Sequence, residues 1–154
     1  MHAFPEWLLT SRRALLLGTA AILYGPSVHA AEPVPIEFAQ LYKSFGVRGY
    51  EFSDTLLSLK GRDVFMRGYM APPLKAESPF FVLTREPAAL CPFCQSDADW
   101  PTDIVVVYLK NASALVGAGE PVVVRGRLEV GSWTDPESGF VSQIRIVDAS
   151  FRRA

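Results

Sequence analysis

The sequence predicts a mainly β domain, in which five strands form a small and strongly coiled barrel after one or two short N-terminal helices. Two observations favour strands from Arg62 onward: several segments alternate between apolar and polar residues, and one continuous run is rich in β-branched residues. A third observation is that proline- and glycine-containing turn sequences separate these segments.

Two short helices are predicted before the first strand. The first lies within the segment from Ile36 to Tyr42, which follows a proline-rich lead. The second begins near Ser53, a residue type that caps helix N-termini, and continues through the leucine-rich segment 56–59. Gly61 then stands where the C-terminus of a helix favours glycine.

The first predicted strand runs from residue 64 to residue 70. Its apolar residues Val64, Met66 and Met70 share one face, and Arg67 lies on the opposite face. The second strand is the apolar run Phe80 to Thr84. The third, Ile104 to Leu109, is continuously apolar and β-branched, as expected for a strand that is buried on both faces.

The fourth predicted strand shows the clearest alternation, and glycine interrupts it. Gly126 stands in the middle of the strand, where a glycine often marks a bulge or the sharp coil of a small barrel. A turn is predicted from Thr134 to Gly139, and a last strand from Phe140 to Val147. The apolar face of the fourth strand consists of Val122, Val124, Leu128 and Val130, and the other face of Val123, Arg125, Arg127 and Glu129.

The spacing of the five strands fits an oligonucleotide/oligosaccharide-binding (OB-like) barrel. This barrel would occupy residues 61–154, and the short helices would lie in an N-terminal extension, residues 31–60. An open sandwich or a meander of the same strands is the alternative architecture.

Residues 1–30 have the organisation of a cleavable export signal. The basic pair Arg12-Arg13 precedes an apolar run, and small residues end at Ala30, after which cleavage is expected. The pair resembles a twin-arginine signal, although Leu17 replaces the usual lysine. The run is too short to cross a bilayer, which takes roughly 20 apolar residues. We therefore expect a periplasmic or secreted protein without a stable membrane anchor.

Charge and composition exclude several classes of function. The chain of 154 residues has 15 basic and 16 acidic residues and a formal net charge of −1, which argues against nucleic acid as a partner. Both histidines, His2 and His29, precede the expected cleavage site. The exported chain therefore lacks a histidine-based catalytic triad and the histidine-rich zinc sites common in enzymes.

The segment from Gly61 to Leu74, with its sequence Gly68-Tyr69-Met70 followed by prolines, resembles the opening of a family of small exported bacterial proteins of unknown function. The run Val122 to Leu128 is similar to the fourth strand of that family. The resemblance covers roughly residues 56–147. It implies an OB-like barrel and an accessory role beside a transporter concerned with metals or other small solutes, without any catalytic assignment.

The sequence Cys91-Pro92-Phe93-Cys94 is the motif with obvious chemistry, because a spacer of two residues brings both sulfurs within reach of one metal ion or of each other. In a metal site, the two thiolates would supply half of a tetrahedral set, and Asp97 or Asp99 could complete it around zinc. Thioethers from Met66 or Met70 would instead suit copper(I).

Two other interpretations of the cysteine pair remain open. A disulfide between Cys91 and Cys94 would be a structural link, favoured by the oxidising compartment. A glutaredoxin-like redox pair would need a long helix after the motif, yet Pro101 follows only seven positions beyond Cys94. We therefore favour an exported, non-enzymatic accessory or binding protein that holds a metal ion or small ligand near this motif and serves a transporter. A thiol-disulfide redox protein and a purely structural module are the alternatives.

Trp100 and Trp133 are candidates for a ligand-stacking platform, although large aromatic residues more often fill a core or cover the end of a barrel.

Overall fold

The computed structural model describes residues 32–46, 49–72, 79–87, 101–111 and 117–154, and this part of the chain is mainly β, as predicted. The expected signal, with Arg12, Arg13 and Ala30, lies outside the described residues. No helix in the described ranges is long and apolar enough to cross a membrane.

The strands are β1 (Val34–Pro35), β2 (Tyr42–Gly46), β3 (Gly49–Phe52), β4 (Asp63–Met70), β5 (Phe80–Thr84), β6 (Ile104–Leu109), β7 (Pro121–Thr134) and β8 (Val141–Arg153), and the helix is α1 (Asp54–Ser58).

Six of these strands form one sheet in the order β1-β4-β5-β6-β8-β7, and β4 also pairs with β7. The β4–β7 register is unbroken from Asp63 opposite Arg127 to Tyr69 opposite Pro121. In contrast, β4 and β5 share only two residue pairs, Tyr69 with Thr84 and Met70 with Leu83. Strands β6 and β8 run parallel, and the other pairs among β4 to β8 are antiparallel.

The hydrophobic core lies on the inner face of this sheet, and the alternation read from the sequence places most of it. Ile104 to Val107 are all buried, which confirms that β6 is covered on both faces. The N-terminal extension shares the same core through Ile36, Leu41, Leu56 and Leu59. The strands contribute Val64, Met66, Met70, Phe81, Leu83, Val105, Val107, Val122, Val124, Leu128, Val130, Ile144 and Ile146.

The predicted irregularity at Gly126 is confirmed. The register between β7 and β8 shifts between Arg125 and Arg127, where the single residue Gly126 of β7 faces two residues of β8, Asp148 and Ala149. A Cβ atom on Gly126 would lie 2.6 Å from the backbone oxygen of Val147 and 2.8 Å from Cγ2 of Ile146. The two strands can approach this closely only because residue 126 has no side chain.

The N-terminal extension contains less helix than the sequence predicts. The expected helix from Ile36 to Tyr42 is wrong beyond one 3₁₀ turn, Phe38–Gln40, because Tyr42 already begins β2. Strand β2 pairs with β3 in a separate two-stranded sheet. Its aromatic side chains pack on one another: the ring of Tyr42 lies 5.4 Å from that of Tyr50 and 5.8 Å from that of Phe52. This contact favours a hairpin over a longer helix.

The second predicted helix is confirmed as α1. The Ser53 hydroxyl accepts a hydrogen bond from the backbone N–H of Leu56 at 3.0 Å and donates one to the carbonyl of Gln40. Gly61 follows the helix with φ = +79°, a conformation that glycine adopts without strain. One serine thus both caps α1 and ties it to the preceding 3₁₀ turn.

The final strand is longer than predicted, ending at Arg153 rather than at Val147. Asp148 has φ = +50°, a left-handed backbone conformation that is uncommon for residues other than glycine. It interrupts the alternation of inward and outward side chains by which a strand is predicted from the sequence. Beyond it the strand resumes, and the Phe151 ring lies 5.4 Å from that of Phe81. The turn predicted from Thr134 to Gly139 is present, with Gly139 at φ = +71°.

Substituting Gly126 with alanine should destabilise the fold, because the new methyl group would overlap the backbone of β8. We expect Gly126→Ala to lower the free energy of unfolding by about 1–3 kcal/mol. Gly46→Ala is the matched control, because Gly46 also lies in a strand and has nothing within 4 Å of its Cβ position. Urea unfolding of both variants measures the difference, and equal stability of the two would contradict the close approach of β7 and β8.

Candidate functional site

The residues predicted to form a metal or redox site, Cys91, Cys94, Asp97 and Asp99, lie outside the described residues. The structure does describe the two chain ends that lead to them. Thr84 pairs with Ile104, and the N–H of Arg85 donates a hydrogen bond to the carbonyl of Asp103 at 3.1 Å. The chain therefore leaves β5 and enters β6 at the same end of this pair of strands.

In the part of the chain that the structure describes, no three histidine, cysteine, aspartate or glutamate residues lie close enough together to hold a metal ion. Met66 and Met70, the candidate thioether ligands for copper(I), are fully buried in the main hydrophobic core. Their thioethers thus face apolar neighbours inside the sheet, which does not favour a copper(I) role for them.

A pocket of about 450 Å³ opens beside β4. Three parts of the chain form its wall: the segment from the end of β1 into the 3₁₀ turn, the outer face of β4, and the first residue after β5. The lining residues are Pro35, Ile36, Glu37, Phe38, Ala39, Phe65, Arg67 and Arg85.

The N-terminal wall of the pocket is held at several points. The N–H of Ile36 donates to the carbonyl of Phe65 at 3.0 Å, which fixes the chain against β4. Within the turn, the N–H of Gln40 donates to the carbonyl of Glu37 at 2.9 Å, and the Gln40 side chain accepts from the N–H of Glu37 at 3.0 Å. Ile36 and Leu41, on either side of the turn, are buried in the core. The wall is therefore preformed.

The pocket exists because one edge of β4 is shared by two strands that do not meet. On that edge β1 pairs with Val64 and Phe65, and β5 pairs with Tyr69 and Met70. The residues between, 66–68, have β7 as their strand partner on the other edge, and none of the described strands lies opposite them here. This gap in the sheet is where the pocket lies.

Backbone polar groups of Arg67 point into this gap. Polar groups of successive residues in a strand alternate between its two edges. Phe65 accepts from Ile36 on the gap edge, whereas Met70 donates to Glu120 on the β7 edge. The alternation therefore places the N–H and C=O of Arg67 on the gap edge, where β1 has ended and β5 has not begun.

The charged side chains of the pocket are exposed and unpaired. Arg67, Arg85 and Glu37 form no ion pair with any described residue, whereas Arg127 elsewhere on the sheet pairs with Asp148 at 2.9 Å. All three pocket residues are exposed to solvent. Two positive charges against one negative charge make the pocket a site that attracts anions.

The sequence alone predicts only part of this site. It placed Arg67 on the face of β4 opposite to the core, which is correct, but it did not single out Arg85 or the residues of the 3₁₀ turn. An arginine that directly follows the apolar strand Phe80–Thr84 was the available signal for Arg85. The parallel pairing of β1 with β4 has no local signal, because the two strands are far apart in the sequence.

Trp133, proposed as one half of a stacking platform, makes contacts within the protein; Trp100 lies outside the described residues. The Trp133 ring meets that of Tyr108 edge-on at 5.3 Å, and the guanidinium of Arg145 lies 5.2 Å from its centroid. Arg145 is itself buried and paired with Glu129 at 3.3 Å. These contacts hold the Trp133 ring against the protein while 38% of the residue remains exposed, so its role in ligand stacking stays a prediction.

The turn between β7 and β8 is organised by the buried carboxylate of Asp135. It accepts hydrogen bonds from the N–H and hydroxyl of Ser138 at 2.7 and 2.8 Å and from the N–H of Glu137 at 3.1 Å. Burial by itself raises the pKa of Asp135, but these hydrogen bonds outweigh it and hold the pKa below its ordinary value of 3.8.

Tyr108 lies close to the same carboxylate. Burial, and then the negative charge of Asp135, raise the pKa of the phenol well above its ordinary value. The phenol oxygen is buried and makes no hydrogen bond of normal geometry with a described residue, so the influence of Asp135 on it is electrostatic. Tyr108 thus has the character of a packed aromatic residue beside Trp133, not of an acid or base at neutral pH.

Comparison with known proteins gives little further information. No protein-family model matches the chain, and no curated protein is significantly similar to it. Among solved structures, a DUF3299 family protein from Pseudomonas aeruginosa is similar, with a TM-score of 0.49 and 13% sequence identity. The similarity covers 79% of this chain and 97% of that chain.

Neutralising Asp135 should change how stability depends on pH. A carboxyl whose pKa is lowered by folding stabilises the protein above its ordinary pKa, and this contribution is lost as the pH falls through the lower, folded-state value. We expect Asp135→Asn to reduce the free energy of unfolding by about 1 kcal/mol at pH 7, since hydrogen bonds to a charged acceptor become neutral ones. The difference from wild type should shrink below pH 4.

Urea unfolding across a pH series measures this difference. Glu137→Gln is the control at pH 7, because the Glu137 side chain is exposed and accepts none of these hydrogen bonds. A difference between wild type and Asp135→Asn that stays constant down to pH 2 would show that the Asp135 charge does not stabilise the turn.

Proposed function

We propose that this chain is an exported, non-enzymatic binding protein that holds a small ligand or a metal ion beside the Cys91–Cys94 segment. The observation that carries the proposal is the preformed pocket next to the gap in β4. Its lining residue Arg85 precedes Cys91 by only six residues. A ligand in the pocket would therefore lie near the point where the cysteine-containing segment leaves the sheet.

We propose further that the sheet is an OB-like barrel. Two features of the pairing support this. Strand β4 pairs with β5, β5 with β6, β6 with β8, β8 with β7, and β7 again with β4. The order of these five strands therefore closes on itself. The parallel pair among them, β6 with β8, is what an OB-like barrel requires when its third and fifth strands are neighbours.

The sequence supports the proposed export and the proposed partner. The signal features, Arg12-Arg13 before an apolar run and small residues up to Ala30, support export by the twin-arginine route to the periplasm or beyond. The family resemblance supports a role beside a membrane transporter. The net charge of −1 gives no support for a nucleic-acid partner.

The chemistry at Cys91 and Cys94 has three candidate forms. A metal centre would use both thiolates with Asp97 or Asp99, and the ion would be zinc or copper. A disulfide would be a structural link. A redox pair would cycle between the two thiols and the disulfide and would make the protein a thiol-disulfide oxidoreductase.

Paired native and denaturing mass spectra of the protein purified from its own periplasm test the proposed function. We expect the native species to be heavier than the chain by a ligand or metal that denaturation removes. A bound metal should disappear from the Cys91→Ser and Cys94→Ser variants, while a small organic ligand in the pocket should remain.

The same spectra separate the outcomes. Signal cleavage after Ala30 would give the expected mature mass. A chain lighter by the mass of two hydrogens and free of metal would indicate a disulfide, and its reduction potential would then distinguish a redox role from a structural one. Native and denatured masses that agree, with no ligand in any preparation, would contradict a binding function.

A further inference from the structure

We propose that the pocket beside β4 binds a small organic carboxylate that carries an apolar group. This inference depends on the proposed binding function and names the chemical class of its ligand. Three independent properties of the pocket lead to it: the charges of its side chains, the backbone groups at its base, and the apolar residues of its wall.

The charges select a monoanion. Arg67 and Arg85 line the pocket and are unpaired among the described residues, so both guanidinium groups are available to a ligand. Arginine binds carboxylates through two parallel hydrogen bonds, which makes it well suited to this task. Glu37 lies in the same wall and leaves an excess of one positive charge. A ligand with a single negative charge neutralises that excess, whereas a dianion would leave the occupied pocket with a net charge of −1.

The backbone at the gap supplies a further donor. The N–H of Arg67 is directed to the edge of β4 that neither β1 nor β5 covers. In a continuous sheet this N–H would be bonded to a neighbouring strand. A carboxylate oxygen can accept from it, and two side-chain donors together with one fixed backbone donor would then converge on the same group.

Much of the remaining lining of the pocket is apolar. Pro35, Ile36, Phe38 and Phe65 line the same pocket as the two arginines. Phe38 and Phe65 are only partly buried. An apolar group on the ligand would cover these surfaces, and a pocket of this volume is within the range of about 300–1,000 Å³ typical of small-molecule sites. The site thus combines guanidinium groups suited to an anion with apolar surface suited to a hydrophobic group.

NMR titration of the ¹⁵N-labelled protein tests the inference with three probes of similar size: benzoate, its neutral analogue benzamide, and phenyl phosphate. We expect benzoate to shift the backbone amide signals of Phe38, Phe65, Arg67 and Arg85. Benzamide should bind at least about tenfold more weakly, because it cannot engage the guanidinium groups as an anion. Phenyl phosphate, mainly a dianion at neutral pH, should bind more weakly than benzoate.

Arginine variants identify the binding groups. Arg67→Gln and Arg85→Gln should each weaken benzoate binding by about tenfold or more. Arg62→Gln is the matched control: Arg62 is exposed and does not line the pocket, so the same loss of charge should leave binding unchanged. Both pocket residues are exposed, and the amide spectra of the variants report directly whether the fold is retained.

Several results would overturn the inference. Equal binding of benzoate and benzamide would show that the anionic group is not recognised, and tighter binding of phenyl phosphate would replace the carboxylate by a phosphate. Unchanged binding by the two pocket variants would place the site elsewhere. If the native mass spectrum nevertheless contained a bound metal that requires Cys91 and Cys94, the proposed binding function would stand and only the carboxylate site would be wrong.

Discussion

The arrangement of strands around β4 determines the rest of the structure. One edge of β4 is paired along nearly its whole length with β7, while the other edge is divided between β1 and β5. The first pairing connects the last strands of the sheet back to its beginning, so one continuous core forms beneath β4 to β8. The second leaves a short gap that none of the strands in the described part of the chain fills, and the pocket lies there. The same strand therefore supports both the fold and the candidate site.

Close approach between strands makes this arrangement possible, and two glycines allow it. A Cβ atom on Gly68 in β4 would lie 2.7 Å from the carbonyl oxygen of Thr84, and one on Gly126 in β7 would be as crowded against β8. Any side chain at either position would push neighbouring strands apart. Gly68, which permits β5 to approach β4, directly follows Arg67, whose backbone polar groups remain uncovered. Tight packing at one position and an open site at the next thus belong to the same strand.

The sequence predicts those features that depend on neighbouring residues. The limits of Phe80–Thr84 and Ile104–Leu109 are correct because both are apolar runs with clear boundaries, and the Ser53 cap is correct because capping is local. The β2–β3 hairpin was missed because its stabilising aromatic contacts join Tyr42 to residues further along the chain. The pocket could not be predicted, since it requires Val34 to lie opposite Val64 in a parallel pair. Cys91 and Cys94 were identified by motif alone, and their chemistry remains a prediction.

Amide hydrogen exchange at β4 tests the central claim most directly, namely that the gap leaves the backbone of Arg67 open to a ligand. The alternation that orients Met70 toward Glu120 also orients Met66 and Gly68 toward β7. We therefore expect the Arg67 amide to exchange at least about tenfold faster than those two in the free protein and to become protected when benzoate is added. An Arg67 amide as slow as its neighbours and unaffected by benzoate would show that the edge is already covered, and the account of the site would be wrong.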